Sequence, residues 1–283
     1  MLIFLIKAPL RVLGLNFTRR FINLLRHALK ELPFNAGVLR EELVTAPGTN
    51  PALKFYCIGD ICVWRAETLF TKEPETIDWL NTMSPGETLW DIGANVGLYS
   101  VYASRMRGVR TIAFEPAAQN FYLLTQNIAV NDANDLVTAY CLALSDRREA
   151  GVLNMQSMAF GDAHSSFEDT VGFDGLHFEP KYRQGMIGHS IDSFIEEYDP
   201  PFPNHIKIDV DGIENKIIAG ARETLRDSRL KSLSVELDAG RQEYTDAVVA
   251  MIENSGLRFV AKRHAEMFKD GQFANIFNYR FQR

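Results

Sequence analysis

Residues 89–100 constrain the fold of this chain more strongly than any other part of its 283-residue sequence. They form an apolar strand-like run, a turn with glycines at positions 93 and 97, and an apolar helix start. Gly93 lets the backbone leave the strand without a Cβ clash, and Gly97 lets a ligand or strand lie close to the helix start. Nucleotide cofactors bind at such strand-to-helix turns. We therefore expect an α/β fold with a doubly wound, mostly parallel sheet.

The residue that precedes the turn indicates which cofactor binds. A nicotinamide site follows the pattern G-x-G-x-x-G, in which backbone N–H groups hold a pyrophosphate. Asp91 occupies the first glycine position here, and its carboxylate would repel two phosphates. S-adenosylmethionine carries an amino group and a sulfonium but no phosphate, so it suits an acidic turn. We predict this cofactor, and a nicotinamide-dependent oxidoreductase is the alternative enzyme.

A second acid follows the next predicted strand, at residues 111–114. Glu115 ends this strand, and Pro116 favours an extended backbone for the residue before it. An acid about 20 positions after a glycine turn accepts ribose hydroxyls in dinucleotide sites. We therefore predict that Glu115 binds the ribose of the cofactor.

The third predicted strand, residues 137–143, leads to the other end of the cofactor. In a doubly wound sheet its tip borders the adenine. Ala143, Leu144 and Ser145 are therefore candidate contacts of the base.

Acids also follow the fourth predicted strand, residues 206–210. The carboxyl end of this strand should lie beside the methyl group that S-adenosylmethionine donates. We expect Asp209 to act as general base or to orient the acceptor hydroxyl, with His164 as a second candidate. Glu236, in the fifth predicted strand, would hold the acceptor. Carboxylates suit Mg²⁺, but Asp209, Asp211 and Glu236 do not establish a metal site from sequence alone, and we predict none.

Three further residues have alternative interpretations. Asp211 and Glu214 either lie beside the methyl donor or cap the N-terminus of the following helix. His189 is a further candidate for the general base.

Two segments outside this core have a predicted local structure. Residues 53–58 and 61–66 flank Gly59-Asp60, which predicts a two-residue β-hairpin. Residues 154–188 contain five glycines and interrupt the strand–helix rhythm. We interpret them as a long loop over a sugar-like substrate, and a plain surface insertion is the alternative.

Residues 1–32 carry a marked basic bias, with six lysines and arginines before the first acid. Over residues 17–31 we predict an amphipathic helix that packs on the core or a second subunit, or lies on an anionic membrane surface. No run approaches the ~18 apolar residues of a membrane span. We assign residues 1–66 to a helical and hairpin extension and residues 67–283 to the main domain.

The composition restricts the partners and the compartment. A net charge of −6 gives no electrostatic preference for nucleic acid, so we expect none as partner. The three cysteines lack metal-ligand spacing, which indicates reduced thiols and a cytoplasmic location. The inner face of the membrane is the alternative location if residues 1–32 bind lipid.

Several motifs in this order resemble those of the FkbM family of S-adenosylmethionine-dependent methyltransferases, which belongs to the seven-stranded group. The resemblance extends from about residue 70 to residue 281, and Asp211 stands where the family usually has Glu. The motifs are E-P-E-T at 73–76, W-D-I-G-A-N-V-G at 90–97, F-E-P at 114–116, A-L-S-D at 143–146 and K-I-D-V-D-G at 207–212.

The resemblance implies a Rossmann-like sheet of seven strands that ends in an antiparallel hairpin. It also implies O-methylation of a hydroxyl on a sugar, glycan or natural product, and the alternative without catalysis is a protein that only binds an adenosyl ligand. The expected cofactor contacts are Glu75, Asp91, Gly93, Ala94, Asn95, Gly97, Glu115, Pro116, Leu144, Ser145 and Asp209. The expected catalytic residues are Asp209, His164 and Glu236.

Overall fold

A sheet of seven strands organises the computed structural model, which describes residues 41–283. In spatial order the strands are β12 (Arg258–Arg263), β13 (Ile276–Gln282), β11 (Ser232–Asp238), β10 (His205–Ile208), β3 (Thr88–Ile92), β4 (Arg110–Phe114) and β5 (Val137–Tyr140). The five strands from β11 to β5 are parallel, whereas β13 runs antiparallel to both of its neighbours. The predicted doubly wound sheet and its C-terminal antiparallel hairpin are confirmed.

Helices cover both faces of this sheet. Along β3, Trp90 and Ile92 enter one apolar cluster and Leu89 enters the other, because successive side chains of a strand point to opposite faces. This double burial explains why the central strands are nearly continuous apolar runs. The helices are α1 (Asp60–Glu67), α2 (Pro74–Leu80), α3 (Leu98–Arg107), α4 (Ala118–Val130), α5 (Ile191–Tyr198), α6 (Glu214–Ala219), α7 (Arg222–Arg226) and α8 (Gln242–Glu253), with a 3₁₀ turn at Glu266–Phe268.

The predicted hairpin over residues 53–66 is wrong. Its first half is strand β2 (Lys54–Ile58), but β2 pairs antiparallel with β1 (Glu41–Thr45), and the second half is helix α1. Cys62 and Ala66, four positions apart, give α1 a buried face, and an acid in the first turn favours the helix. The extension therefore contains a strand pair and a helix.

Most of residues 154–188, predicted as a loop, lie outside regular strands, but 12 of these 35 residues belong to a second sheet. It contains β6 (Ala143–Ser145), β9 (Tyr182–Ser190), β7 (Glu149–Met155) and β8 (Ser165–Phe167), in this spatial order. One of the glycines interpreted as a loop signal, Gly188, lies in β9 beneath the ring of Phe167. The predicted third strand accordingly divides, with β5 in the central sheet and β6 in the second one.

Residues 41–283 form one compact unit, and the domain boundary predicted at residue 66 falls inside it. None of the helices between residues 41 and 283 combines the length and the apolar character that a membrane crossing requires. The predicted basic helix at residues 17–31, and its contact with a membrane or a subunit, lie outside the described residues.

Candidate functional site

A cleft of about 350 Å³ lies where β3, β4, β10 and β11 end. This volume is within the range of small-molecule sites. The cleft opens where the chain order reverses, because β4 lies on one side of β3 and β10 on the other. Ligands of open α/β sheets bind at such a switch point.

The glycine turn after β3 brings two strand ends together. The N–H groups of Gly93 and Ala94 donate to the carbonyl oxygen of Phe114 at 2.9 and 3.0 Å. A Cβ on Gly93 would lie 1.9 Å from the carbonyl oxygen of Asp209, and the φ angle of Gly93 is +82°. Only glycine therefore allows the ends of β3 and β10 to approach in this way.

Gly97 was expected to let a ligand or strand lie close to the helix start, but its close neighbour is a helix. A Cβ at this position would lie 2.4 Å from Cδ1 of Leu124, on helix α4. The second glycine of the turn therefore serves helix packing.

Glu115 lines the cleft in the predicted ribose position. Its Oε2 accepts a hydrogen bond from the N–H of Asn95 at 2.7 Å, and its Oε1 accepts one from the N–H of Ala117 at 2.9 Å. Burial raises the pKa of Glu115 to about 7, although these two N–H groups oppose the rise. Each oxygen keeps a lone pair for a further donor, so the group fits a pair of ribose hydroxyls.

Asp91 lies beneath the turn and does not line the cleft. Its side chain is 1% exposed, and Ser100 Oγ donates to its Oδ2 at 2.6 Å. Its Oδ1 has no hydrogen-bond partner within residues 41–283. Burial raises the pKa of Asp91, which the nearby Lys207 ammonium partly opposes. A direct contact between Asp91 and the cofactor stays a prediction.

The other residues predicted to bind the cofactor divide in the same way. Those that line the cleft are Glu75, Gly93, Asn95, Pro116, Leu144 and Asp209. Those that lie behind its surface are Ala94, Gly97 and Ser145. The acid in the predicted ribose position, the glycine turn at Gly93 and several further carboxylates together fit a cationic adenosyl ligand.

Three carboxylates meet at one end of the cleft. One oxygen each from Glu73, Asp209 and Glu236 lies within 4.8 Å of the others. Two lysines accompany them, since Lys72 pairs with Glu73 and Lys207 Nζ donates to Asp209 Oδ2 at 2.6 Å. The cluster therefore combines three acids with two ammonium groups.

The environments of Asp209 and Glu236 push their pKa values apart. Burial alone would raise the pKa of Asp209, but the Lys207 ammonium lowers it to about 2. Burial and the neighbouring anions of Asp209 and Glu73 raise the pKa of Glu236 well above its ordinary value. A general base is most effective when its pKa is near the working pH. Glu236 therefore binds a proton more tightly than Asp209, which we expected to be the base, and it can accept a proton only in its ionised form.

His164 lines the cleft beside a second acidic pair. Its Nδ1 lies 3.5 Å from Asp162 Oδ1, and this interaction raises the pKa of His164. Asp211 Oδ2 accepts the N–H groups of His164 and Ser165 at 2.7 and 3.2 Å. Asp211 thus anchors the segment that carries His164.

Glu214 lies in the first turn of α6, whose N-terminus has no side-chain cap, so the capping role that we considered for it is not observed. Its Oε1 accepts the N–H of Gly212 at 3.0 Å, its Oε2 accepts the hydroxyl of Tyr244 at 2.6 Å, and it does not line the cleft. His189 is wrong as a candidate base. It is 2% exposed, packs on Phe194 and Tyr198, and lies away from the cleft.

Several cleft residues were missed from the sequence. Ile61, Trp64 and Arg65 come from α1. These residues stand at positions i, i+3 and i+4, which lie on one face of a helix. The signal is lost when the segment is predicted to be a strand. Phe268 and Phe273 also line the cleft, beside Phe173 of the segment predicted to lie over the substrate. No local pattern brings Phe268 and Phe273 to that segment.

The family model that matches this chain is one of methyltransferases, and two similar proteins are methyltransferases. The model of the methyltransferase FkbM domain matches residues 91–259. Hexuronic acid methyltransferase AglP of Haloferax volcanii is 27% identical over 215 residues, which cover 74% of this chain and 80% of that protein. Methyltransferase sdnD of Sordaria araneosa is 27% identical over 156 residues, 47% of this chain and 60% of that protein.

Among solved structures, the methyltransferase FkbM of Methylobacillus flagellatus is 16% identical, with a TM-score of 0.47. The match covers 70% of this chain and 44% of that chain.

Proposed function

Because this chain belongs to the FkbM methyltransferase family and uses S-adenosylmethionine, we propose that it methylates a hydroxyl of a sugar or glycan. Its methyltransferase activity replaces the two alternatives from the sequence, a nicotinamide oxidoreductase and a protein that only binds an adenosyl ligand. The observation that carries the hydroxyl as acceptor is the pair of Asp209 and Glu236, two carboxylates with opposite pKa shifts in one cleft.

The substrate class has two supports. One is the relative from Haloferax volcanii, whose name gives hexuronic acid as its substrate. The other is an aromatic wall, in which the ring of Phe273 lies 5.3 Å from that of Phe173 and 5.9 Å from that of Phe268. Rings of this kind cover the apolar C–H face of a sugar, while nearby polar groups bind its hydroxyls.

We place the acceptor next to these acids. Glu75 Oε1 accepts a hydrogen bond from Asn278 Nδ2 at 3.0 Å, which fixes both side chains at the acceptor end. Within the described chain, the Glu236 carboxyl has no hydrogen-bond partner. It is therefore free to receive a hydrogen bond from a substrate hydroxyl.

The chain supplies position and proton transfer. S-adenosylmethionine supplies an electrophilic methyl group when bound. The ionised form of Glu236 accepts the proton of the acceptor hydroxyl as the new carbon–oxygen bond forms, which contributes about 10²–10⁴-fold to the rate. Asp209, held by Lys207, stays ionised and accepts a hydrogen bond from a neighbouring hydroxyl of the acceptor. Placing the oxygen in line with the methyl carbon provides further acceleration.

Incubation with isotopically labelled S-adenosylmethionine and a panel of neutral hexosides, amino sugars and hexuronic acids tests the proposal. We expect a mass gain of one methylene on a member of the panel. Glu236→Gln should lower turnover by about 10²–10⁴-fold while changing the affinity for S-adenosylhomocysteine by less than about threefold. Glu243→Gln, an exposed acid of α8, is the control.

Failure of every hydroxylated acceptor would contradict the proposed substrate class. Full turnover by Glu236→Gln would remove Glu236 from the role of base.

A further inference from the structure

Acidic side chains predominate in the cleft, and the carboxylate of the cofactor therefore has no obvious partner. Seven carboxyl side chains line it, at positions 73, 75, 115, 162, 209, 211 and 236. These acids suit the sulfonium and the ammonium of S-adenosylmethionine. Its amino-acid end also has a carboxylate, which such a cleft repels unless a cation is available.

The basic groups of the cleft are few, and most have a partner already. Lys72 pairs with Glu73, His164 lies 3.5 Å from Asp162, and the ring of His264 stacks on Phe277. Arg65 differs, because no carboxylate of residues 41–283 lies within 4.0 Å of its guanidinium. Among the described residues that line the cleft, it is the guanidinium left free to bind an anion.

Arg65 is also held in place. Its Nε donates to the carbonyl oxygen of Gly161 at 2.7 Å, and the side chain is half-buried. Hydrogen bonds within residues 41–283 do not use its two terminal nitrogens. A guanidinium fixed by Nε with both Nη groups free presents the planar fork that binds a carboxylate with two hydrogen bonds.

The position of Arg65 relative to the cofactor groups is consistent with this use. Its positive charge lowers the pKa of Glu115, at the predicted ribose end, and that of Asp209, at the reacting end. The guanidinium therefore lies within electrostatic reach of both ends, where the amino-acid part of the cofactor must pass.

We propose that Arg65 binds the carboxylate of the methionyl group of S-adenosylmethionine. Arg65 lies on α1, outside the residues 91–259 that match the family model, so the family match does not assign it. The competing use of the same guanidinium is to bind a carboxylate on an acidic acceptor, such as a hexuronic acid.

Two ligands distinguish these uses. One is S-adenosylhomocysteine, and the other is its decarboxylated analogue, which keeps the adenosine and the ammonium. Calorimetric titration of Arg65→Gln should show about 10- to 100-fold weaker binding of S-adenosylhomocysteine, the effect of losing a charge-assisted pair. Binding of the decarboxylated analogue should stay within about twofold of the wild-type value.

The wild-type protein provides a second measurement that does not depend on the variant. Removing the carboxylate from the ligand should weaken binding by the same factor as removing the guanidinium, and the two changes together should not add. Glu67 is exposed on the same helix, and Glu67→Gln should leave the affinities for S-adenosylhomocysteine and its decarboxylated analogue unchanged.

Two results would overturn the proposal. Equal weakening of both ligands by Arg65→Gln would show that Arg65 supports the cleft through Gly161 instead. Unchanged binding of both ligands would assign the guanidinium to the acceptor.

Discussion

Lys207 provides the buried positive charge that balances the carboxylates of the cleft. Its side chain is 1% exposed, donates to Asp209, and lies 5.0 Å from the centre of the Tyr99 ring. The acids Asp209, Glu73 and Asp91 raise its pKa, against the opposing effect of burial. One buried cation thus compensates acids that come from three separate segments.

Lys207→Met should destabilise the protein strongly. Removing one partner of a buried ion pair leaves an uncompensated charge and costs about 3–5 kcal/mol. Denaturant unfolding measures this free energy. Lys231→Met is the matched control, because Lys231 pairs with Glu87 while 56% exposed, and loss of an exposed pair costs about 0–1 kcal/mol. Equal effects of the two changes would contradict this role for Lys207.

Glu115 should make cofactor binding depend on pH. Its pKa is about 7, raised by burial, so the carboxylate that we predict to accept two ribose hydroxyls forms as the pH rises through that value. The affinity for S-adenosylhomocysteine should therefore increase about tenfold from pH 6 to pH 8, and Glu115→Gln should remove this increase.

Glu214→Gln provides a control for the pH dependence. Burial raises the pKa of Glu214 to about 7 as well, but this residue lies outside the cleft. Its variant should keep the pH dependence of the wild type. A pH dependence that survives Glu115→Gln would argue against ribose binding by Glu115.

The acids Glu73, Asp209 and Glu236 should not make the enzyme dependent on a metal. Lys72 and Lys207 already neutralise two of the three carboxylates, which weakens the attraction for a divalent cation. We expect turnover to change less than about twofold after treatment with a chelator and after addition of Mg²⁺. A loss of turnover that Mg²⁺ restores would contradict this expectation.

At the scale of elements, the glycine turn fixes how closely β3 and β10 approach. Gly93→Ala places a Cβ against the carbonyl oxygen of Asp209 as well as at a positive φ. Gly86 has a φ of +86° but open space around it. Gly86→Ala should therefore cost only the backbone strain, about 1–2 kcal/mol.

Gly93→Ala should cost at least about 1 kcal/mol more, because a tightly packed site resists added atoms. It should also weaken binding of S-adenosylhomocysteine, since the end of β10 must move. Denaturant unfolding and calorimetric titration of the two variants measure these differences. Equal stability and equal affinity would mean that the close approach is unimportant.

The sequence predicts some elements much better than others. The central strands are recognisable because burial on both faces makes them apolar runs with an acid or glycine at the end. The sequence of helix α1 favours a strand, because a segment of eight residues rarely distinguishes the helical period from the strand period. The glycines of residues 154–188 suggested a loop, although Gly188 lies in a strand that passes beneath Phe167.

At the scale of the whole molecule, sheet order decides which residues meet. The acids at strand ends were predictable, since the carboxyl ends of parallel strands share one edge. Contacts such as Glu75 with Asn278, 203 positions apart, depend on β13 lying next to β11 and carry no local signal. The ion pairs that make Asp209 a weak base were equally hidden, because Lys207 looks like an isolated lysine in an apolar strand.

Identifying the atom (oxygen, nitrogen or carbon) to which the methyl group is transferred tests our central claim most directly. The enzyme is incubated with S-adenosylmethionine carrying a ¹³C-labelled methyl group and with the acceptor sugar, and the product is examined by carbon NMR. We expect the label to appear as a methoxy carbon bonded to a ring carbon through oxygen. A label bonded to nitrogen or carbon would contradict transfer to a hydroxyl in this cleft.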